Sequence, residues 1–270
     1  PPRACGYEDK PAVMALLHQT WGVDALSAEQ LREIKAVYHA QVKLVDAMAG
    51  RTLALLEARG LRGDTLVVFT SDHGDFAGEY GLVEKWDTLF HEEIMRVPLI
   101  IAGPGIRNPG RGSQAMVENL DILPSLLDLL DIAPAPCVQH ALSFAPLLRG
   151  ETDQHRASVY AEGGVELEGL HRTAPLQNSE AYSGKHRALA LDPLTLASAR
   201  MLRTPTHKLV FRREGVNELY DLNSPDGESV NGYADPANAP LLAELLPQLL
   251  ARQIAAAPRS PALPETGVMA

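Results

Sequence analysis

An α/β layer architecture followed by a small antiparallel α+β part is the fold class this sequence predicts. A long capped amphipathic helix comes first. Two short, continuously apolar runs follow it, and after about residue 150 the pattern changes to short strand-like segments. The 270 residues are enough to bury a real core in one large domain or two modest ones.

The helix is the clearest element. Ser27 followed by Gln30 is a capping-box start. Apolar or aromatic residues recur at Leu31, Ile34, Tyr38, Val42, Val45, Ala49, Leu53 and Leu56, the spacing of one helical face, and Gly60 stands where a helix stop belongs. Such a face is expected to pack on a sheet. Upstream, Pro1, Pro2, Gly6 and Pro11 predict irregular chain through residue 26, with one short apolar patch from Val13 to Leu17. Downstream, Thr65–Thr70 and Val97–Ala102 read as strands buried on both faces, as in a parallel sheet. Asp121 is a candidate N-cap for a helix through Leu130. Beyond residue 150, strands are expected at Ser158–Ala161, Lys208–Arg212 and Glu218–Leu222, with a turn near Glu214 and Gly215 and a helix over Leu241–Ile254. The expected division is residues 1–150, 151–256, and a flexible tail over 257–270.

Composition removes several function classes. Hydrophobic residues make up 46% and charged residues 21%, the balance of an ordinary globular chain and not of a disordered one. The formal charge of −10 argues against nucleic acid as a partner. No apolar run is long enough to span a membrane, and Pro1–Cys5 offer no signal-peptide pattern. Cys5 and Cys137 form neither a disulfide framework nor a metal knuckle and are expected to be ordinary thiols.

The chemistry concentrates in Ser71-Asp72-His73-Gly74-Asp75, at the carboxyl end of the Thr65–Thr70 run. Ligands of open α/β sheets bind outside the carboxyl ends of strands. Asp72 and His73 offer a carboxylate oxygen and an imidazole nitrogen on adjacent residues, and Gly74 relieves the backbone beside them. Gly78, Glu79, Tyr80, Gly81 and Leu82 then lead to Lys85, which suits the stabilisation of a developing oxyanion. Glu92, Glu93, Arg96, Val97, Pro98, Leu99 and Ile100 complete the stretch. His91 and His207 are expected to be packing or surface residues. Glu79 fits either a turn or support for a metal ligand, and Asp75 is a weak further candidate for the metal.

Residues 64–105 together resemble the signature of the sulfatase family, within the alkaline phosphatase superfamily. The likeness extends through Val117–Leu130, Leu142–Gly150 and Met201–Leu222, over roughly residues 8–250. It implies a partial alkaline-phosphatase-like doubly wound sheet with a small C-terminal antiparallel subdomain. It also implies that Asp72 and His73 are metal ligands and that Lys85 contacts the sulfate ester. The implied metal is a divalent cation, calcium before manganese or zinc, and the implied partner is a small-molecule sulfate ester. The family nucleophile is a formylglycine made from cysteine within Cys-x-Pro/Ala-x-Arg. Neither Cys5 (followed by Gly6, Tyr7, Glu8 and Asp9) nor Cys137 (followed by Val138, Gln139, His140 and Ala141) stands in that motif. The nucleophile is therefore expected outside this sequence, and the chain alone is expected to be inactive and possible as a homo-oligomer. Two alternatives accompany this reading: a phosphonate monoester or phosphodiester hydrolase of the same superfamily, and a non-catalytic truncated or split module.

Overall fold

A computed structural model of the chain describes residues 6–107, 109–133, 140–166 and 183–257. Cys5, Cys137 and the expected tail beyond residue 257 lie outside these. The elements in chain order are α1 (Ala12–Thr20), α2 (Ala28–Ala58), β1 (Val67–Thr70), α3 (Glu92–Met95), β2 (Leu99–Ala102), α4 (Ile122–Leu129) and α5 (Ala145–Leu148). There follow β3 (Val159–Gly163), α6 (Ser183–Leu191), β4 (Ala199–Arg203), β5 (His207–Arg212), β6 (Glu218–Asp221) and α7 (Ala239–Ala256).

The expected start of α2 is present in full. Gln30 N–H donates to Ser27 Oγ at 3.2 Å, and Ser27 N–H donates to Gln30 Oε1 at 2.8 Å. At the other end Gly60 has φ +66°. Its N–H donates to Glu57 O, and that of Leu61 donates to Leu56 O, the Schellman arrangement that satisfies the last carbonyls. The expected packing of this helix on a sheet is not made by the described residues, since none of α2 is buried. Val42, Leu44, Val45 and Met48 are each at least half exposed. An uncovered apolar stripe of this length promotes association, so the isolated chain is expected to elute as an oligomer or aggregate in size exclusion with light scattering. A sharp monomer peak would contradict that expectation.

Two sequence expectations are corrected nearby. Residues 12–20 are helical, with Pro11 as the N-cap residue. Proline is tolerated at a helix start, where its missing N–H has no intrahelical partner. Val13, Met14 and Leu17 enter a core with Phe76, Tyr80, Leu82, Trp86, Leu89, Ile94 and Ala188. The second correction concerns β1 and β2, which pair antiparallel, Val67 opposite Ala102 and Thr70 opposite Leu99. Ile100 is 61% exposed, so β2 is not buried on both faces. Parallel pairing needs a crossover, usually a helix. Here the chain between the strands folds back as a loop, with only the four-residue α3 before β2.

The C-terminal sheet has order β3-β4-β5-β6, antiparallel throughout. Strand β4 was not expected from the sequence. One face packs Leu202, Leu209 and Leu219 against Leu245 and Leu249 of α7. The other brings Ala199, Met201 and Val210 against Phe90, so this sheet buttresses the loop between β1 and β2. Buried charge reinforces the junction. Lys208 Nζ, fully buried, donates to Phe90 O at 2.6 Å and pairs with Glu92 Oε1 at 2.9 Å and Glu228 Oε1 at 2.7 Å. Arg212 Nη1 donates to Thr88 O at 2.8 Å, and its Nε donates to Glu218 Oε2 at 2.8 Å.

Asp121 does precede α4, but its carboxylate does not cap the helix. It receives Arg156 Nε at 2.6 Å and the N–H of Leu142 at 2.8 Å, fixing the chain around α4. No helix among the described residues is long and apolar enough to cross a membrane.

Candidate metal and anion site

At the end of β1 the backbone is held from two sides. Asn119 Nδ2 donates to Ser71 O at 3.0 Å, and Gly74 N–H donates to Ile94 O at 2.8 Å. A Cβ on Gly74 would lie 1.9 Å from the carbonyl oxygen of Glu93. Only glycine allows the returning chain this close.

The same turn orients the two candidate ligands. His73 N–H donates to Asp72 Oδ1 at 2.9 Å. His73 Nδ1 lies 2.8 Å from Gly74 O. A carbonyl accepts only, so Nδ1 carries the proton and Nε2 presents a lone pair. Nε2 lies 3.6 Å from Asp72 Oδ2. The hydrogen bond from the His73 N–H, the largest influence on it, holds the Asp72 carboxyl below its ordinary range. An ionised oxygen and a lone-pair nitrogen on the open side of one turn fit a divalent cation as part of its shell. Among the described residues no group of three or more His, Cys, Asp or Glu side chains forms a metal-holding cluster. The turn brings the two candidate ligands, Asp72 and His73, side by side.

Lys85 ends a tight excursion of the same loop. Ala77 and Val83 bridge antiparallel, Gly78 N–H donates to Leu82 O at 2.9 Å, and Glu84 N–H donates to Phe76 O at 3.0 Å. Tyr80 sits at the tip with φ +55° and is fully buried. The Lys85 side chain is 33% exposed, with Nζ 4.0 Å from Glu84 Oε1. Among the described residues it makes no ion pair with Asp72. It does act on Asp75, whose carboxyl is pushed up by burial and by the charge of Glu84, against the pull of Lys85 and Lys185. Asp75 therefore belongs to the charge group around Lys85, and its Oδ1 is buried with no hydrogen-bond partner among the described residues.

Glu79 serves the turn. Its Oε2 accepts from Ala77 N–H at 2.8 Å and its Oε1 from Lys35 Nζ at 2.6 Å, tying α2 to the loop. His207 starts β5, with Nδ1 2.9 Å from Thr206 Oγ1.

His91 is a packing residue, 2% exposed, with ring contacts to Phe76, Tyr80 and Tyr220. Neither ring nitrogen has a hydrogen-bond partner. Burial drives its pKa down from 6.5 to about 3. The nearby Glu218 opposes this, while Lys208, Lys10 and Arg212 add to it. The folded protein keeps this ring neutral while the unfolded chain binds a proton below 6.5. The associated stability is present above that pH and is lost as pH falls toward 3. Lowering the pH from 7.5 to 5 should cost about 2 kcal/mol from this group alone, and His91→Phe should remove most of that loss. Urea melts of both proteins at the two pH values check it. Glu92 does not confuse the result. Its carboxyl, whose burial is outweighed by Lys208 and Arg203, sits at about 2, so its stabilisation fades only below the ordinary carboxylate range.

Comparison with known proteins identifies the family. The sulfatase family model matches residues 8–132. The chain is 31% identical over 219 residues to a Δ4,5-hexuronate-2-O-sulfatase of Bacteroides thetaiotaomicron, covering 80% of this chain and 40% of that one. A solved 2-O GAG sulfatase superposes with TM-score 0.74 at 26% identity, over 93% of this chain and 51% of the other. The phosphonate monoester hydrolase of Silicibacter pomeroyi gives TM-score 0.74 at 26% identity, over 94% and 50%. The chain belongs to the sulfatase family of the alkaline phosphatase superfamily. It spans about two fifths to half the length of these relatives.

Proposed function

We propose that the intact protein is a sulfuric ester hydrolase acting on a small-molecule sulfate ester, and that this chain supplies part of its metal site and one anion-stabilising cation. The observation that carries the reading is the convergence of Asp72 Oδ2 and His73 Nε2 to 3.6 Å on a turn whose continuation delivers Lys85, in a chain of this family. Asp72 and His73 would hold a divalent cation, calcium in the first instance, which would supply Lewis acidity toward the ester oxygens. Asp72 contributes charge and an oxygen ligand. His73 contributes a neutral nitrogen fixed by its bond to Gly74 O. Lys85 stabilises negative charge as the ester bond breaks.

The nucleophile is assigned to a formylglycine outside these 270 residues, because neither cysteine stands in a Cys-x-Pro/Ala-x-Arg motif. Ser71 is no substitute. Its Oγ donates to His73 O at 2.8 Å, and the carboxylate beside it, Asp72 Oδ1 at 3.4 Å, is assigned here to the metal and not to a general base. The test compares the chain alone with the chain joined to a segment bearing the modified cysteine. Turnover of an aryl sulfate only by the joined protein is expected, and turnover by the chain alone would refute the assignment. Phosphonate monoester hydrolysis is the second reading, favoured by the equal structural likeness to the Silicibacter pomeroyi enzyme.

A further inference from the structure

Two residues of opposite charge, Glu84 and Lys85, stand side by side in the site loop, and a third charge decides how they divide. Lys185, from α6, donates its Nζ to Glu84 Oε1 at 2.7 Å. Lys85 Nζ lies 4.0 Å from that same oxygen, outside hydrogen-bond distance. The Lys185 side chain is 11% exposed against 33% for Lys85, and its ammonium lies 5.9 Å from the centre of the Trp86 ring. Glu84 is held in the left-handed region at φ +64°, and its Oε2 is buried with no hydrogen-bond partner. A buried carboxylate is costly unless a cation matches it. The deeper lysine does so, which leaves the more exposed one facing solvent.

We propose that Lys185 is a positioning residue which, by holding Glu84, keeps the ammonium of Lys85 available to an anionic group. Among the described residues Glu84 is the one carboxylate with an oxygen within 4.0 Å of Lys85 Nζ, and without Lys185 a side-chain rotation closes the pair. That the anion is a sulfate ester rests on the proposed function, whereas the division of charge between the lysines does not.

The test needs no turnover, so a failed sulfatase assignment leaves it readable. Lysines of the 270-residue chain are trace-acetylated with acetic anhydride, and labelling at Lys85 is measured by mass spectrometry against a lysine-containing reference peptide added to the same solution. Glu84→Gln alone should change Lys85 labelling by less than about twofold, because Lys185 already occupies that carboxylate. Lys185→Met should lower it about threefold, the size of an ion pair near the surface. Adding Glu84→Gln to Lys185→Met should restore it. A purely structural role on Trp86 would not be rescued this way, so a loss without rescue, or no loss, overturns the proposal. A rise of about threefold in Glu84→Gln alone would mean that Glu84 is the partner of Lys85, and overturns it as well. That last arm leaves Lys185 intact and decides the matter even if Lys185→Met unfolds.

Discussion

Asp72→Ala is expected to abolish bound metal and turnover together in the protein joined to its nucleophile segment. The side chain is the only carboxylate of the Ser71–Gly74 turn, and it faces His73 Nε2 at 3.6 Å. Hard divalent cations depend on ligand charge as well as ligand number, and the substitution removes one of each. It should cost little stability, because the Asp72 side chain is 84% exposed and its hydrogen bonds lie within the turn. Elemental analysis, kcat on an aryl sulfate and a thermal melt, taken on one preparation, check all three. Metal retained at the unaltered level would remove Asp72 from the ligand set.

Lys85→Ala should separate binding from chemistry. Lys85 is not a ligand, so the metal should stay. The developing charge loses one donor, and kcat should fall by about 10²–10³-fold. A control that leaves the site alone is His91→Phe, which keeps an aromatic ring against Phe76 and Tyr80. His91→Ala is a poorer control. The ring is buried, and its removal leaves a cavity. Unchanged kcat in Lys85→Ala with lost activity in His91→Phe would mean that the loop has been assigned in the wrong register.

What could be read from the sequence follows from the range of the interactions that fix each element. Helix α2 begins with a bond between residues three apart and ends with a local glycine turn, so its ends were legible although its packing was not. The Asp72–His73 pair was legible because its geometry is set within Ser71–Gly74. The direction of β2 was not, since an apolar run carries no record of its partner strand. Pro11 disguised α1, whose helical face is defined by distant residues such as Phe76 and Leu89. Strand β4 was hidden by Arg200 and Arg203, which read as polar interruptions but bind Glu166 and Glu92. Lys185 sits in Ser-Gly-Lys-His, a stretch with no motif, and finds Glu84 across 101 positions. A sequence shows Asp121 at the cap position of α4 but not the arginine that claims its carboxylate.

If this loop belongs to a metal-dependent site for sulfate esters, substrate discrimination must depend on the metal. The measurement is kcat/KM of the joined protein for an aryl sulfate and for an aryl phosphonate monoester, before chelation, after chelation, and after calcium is returned. The sulfate is expected to be the better substrate, chelation to remove turnover of both, and calcium to restore it. Turnover indifferent to chelation would contradict the metal role of Asp72 and His73, and a preference for the phosphonate would contradict the assignment as a sulfuric ester hydrolase.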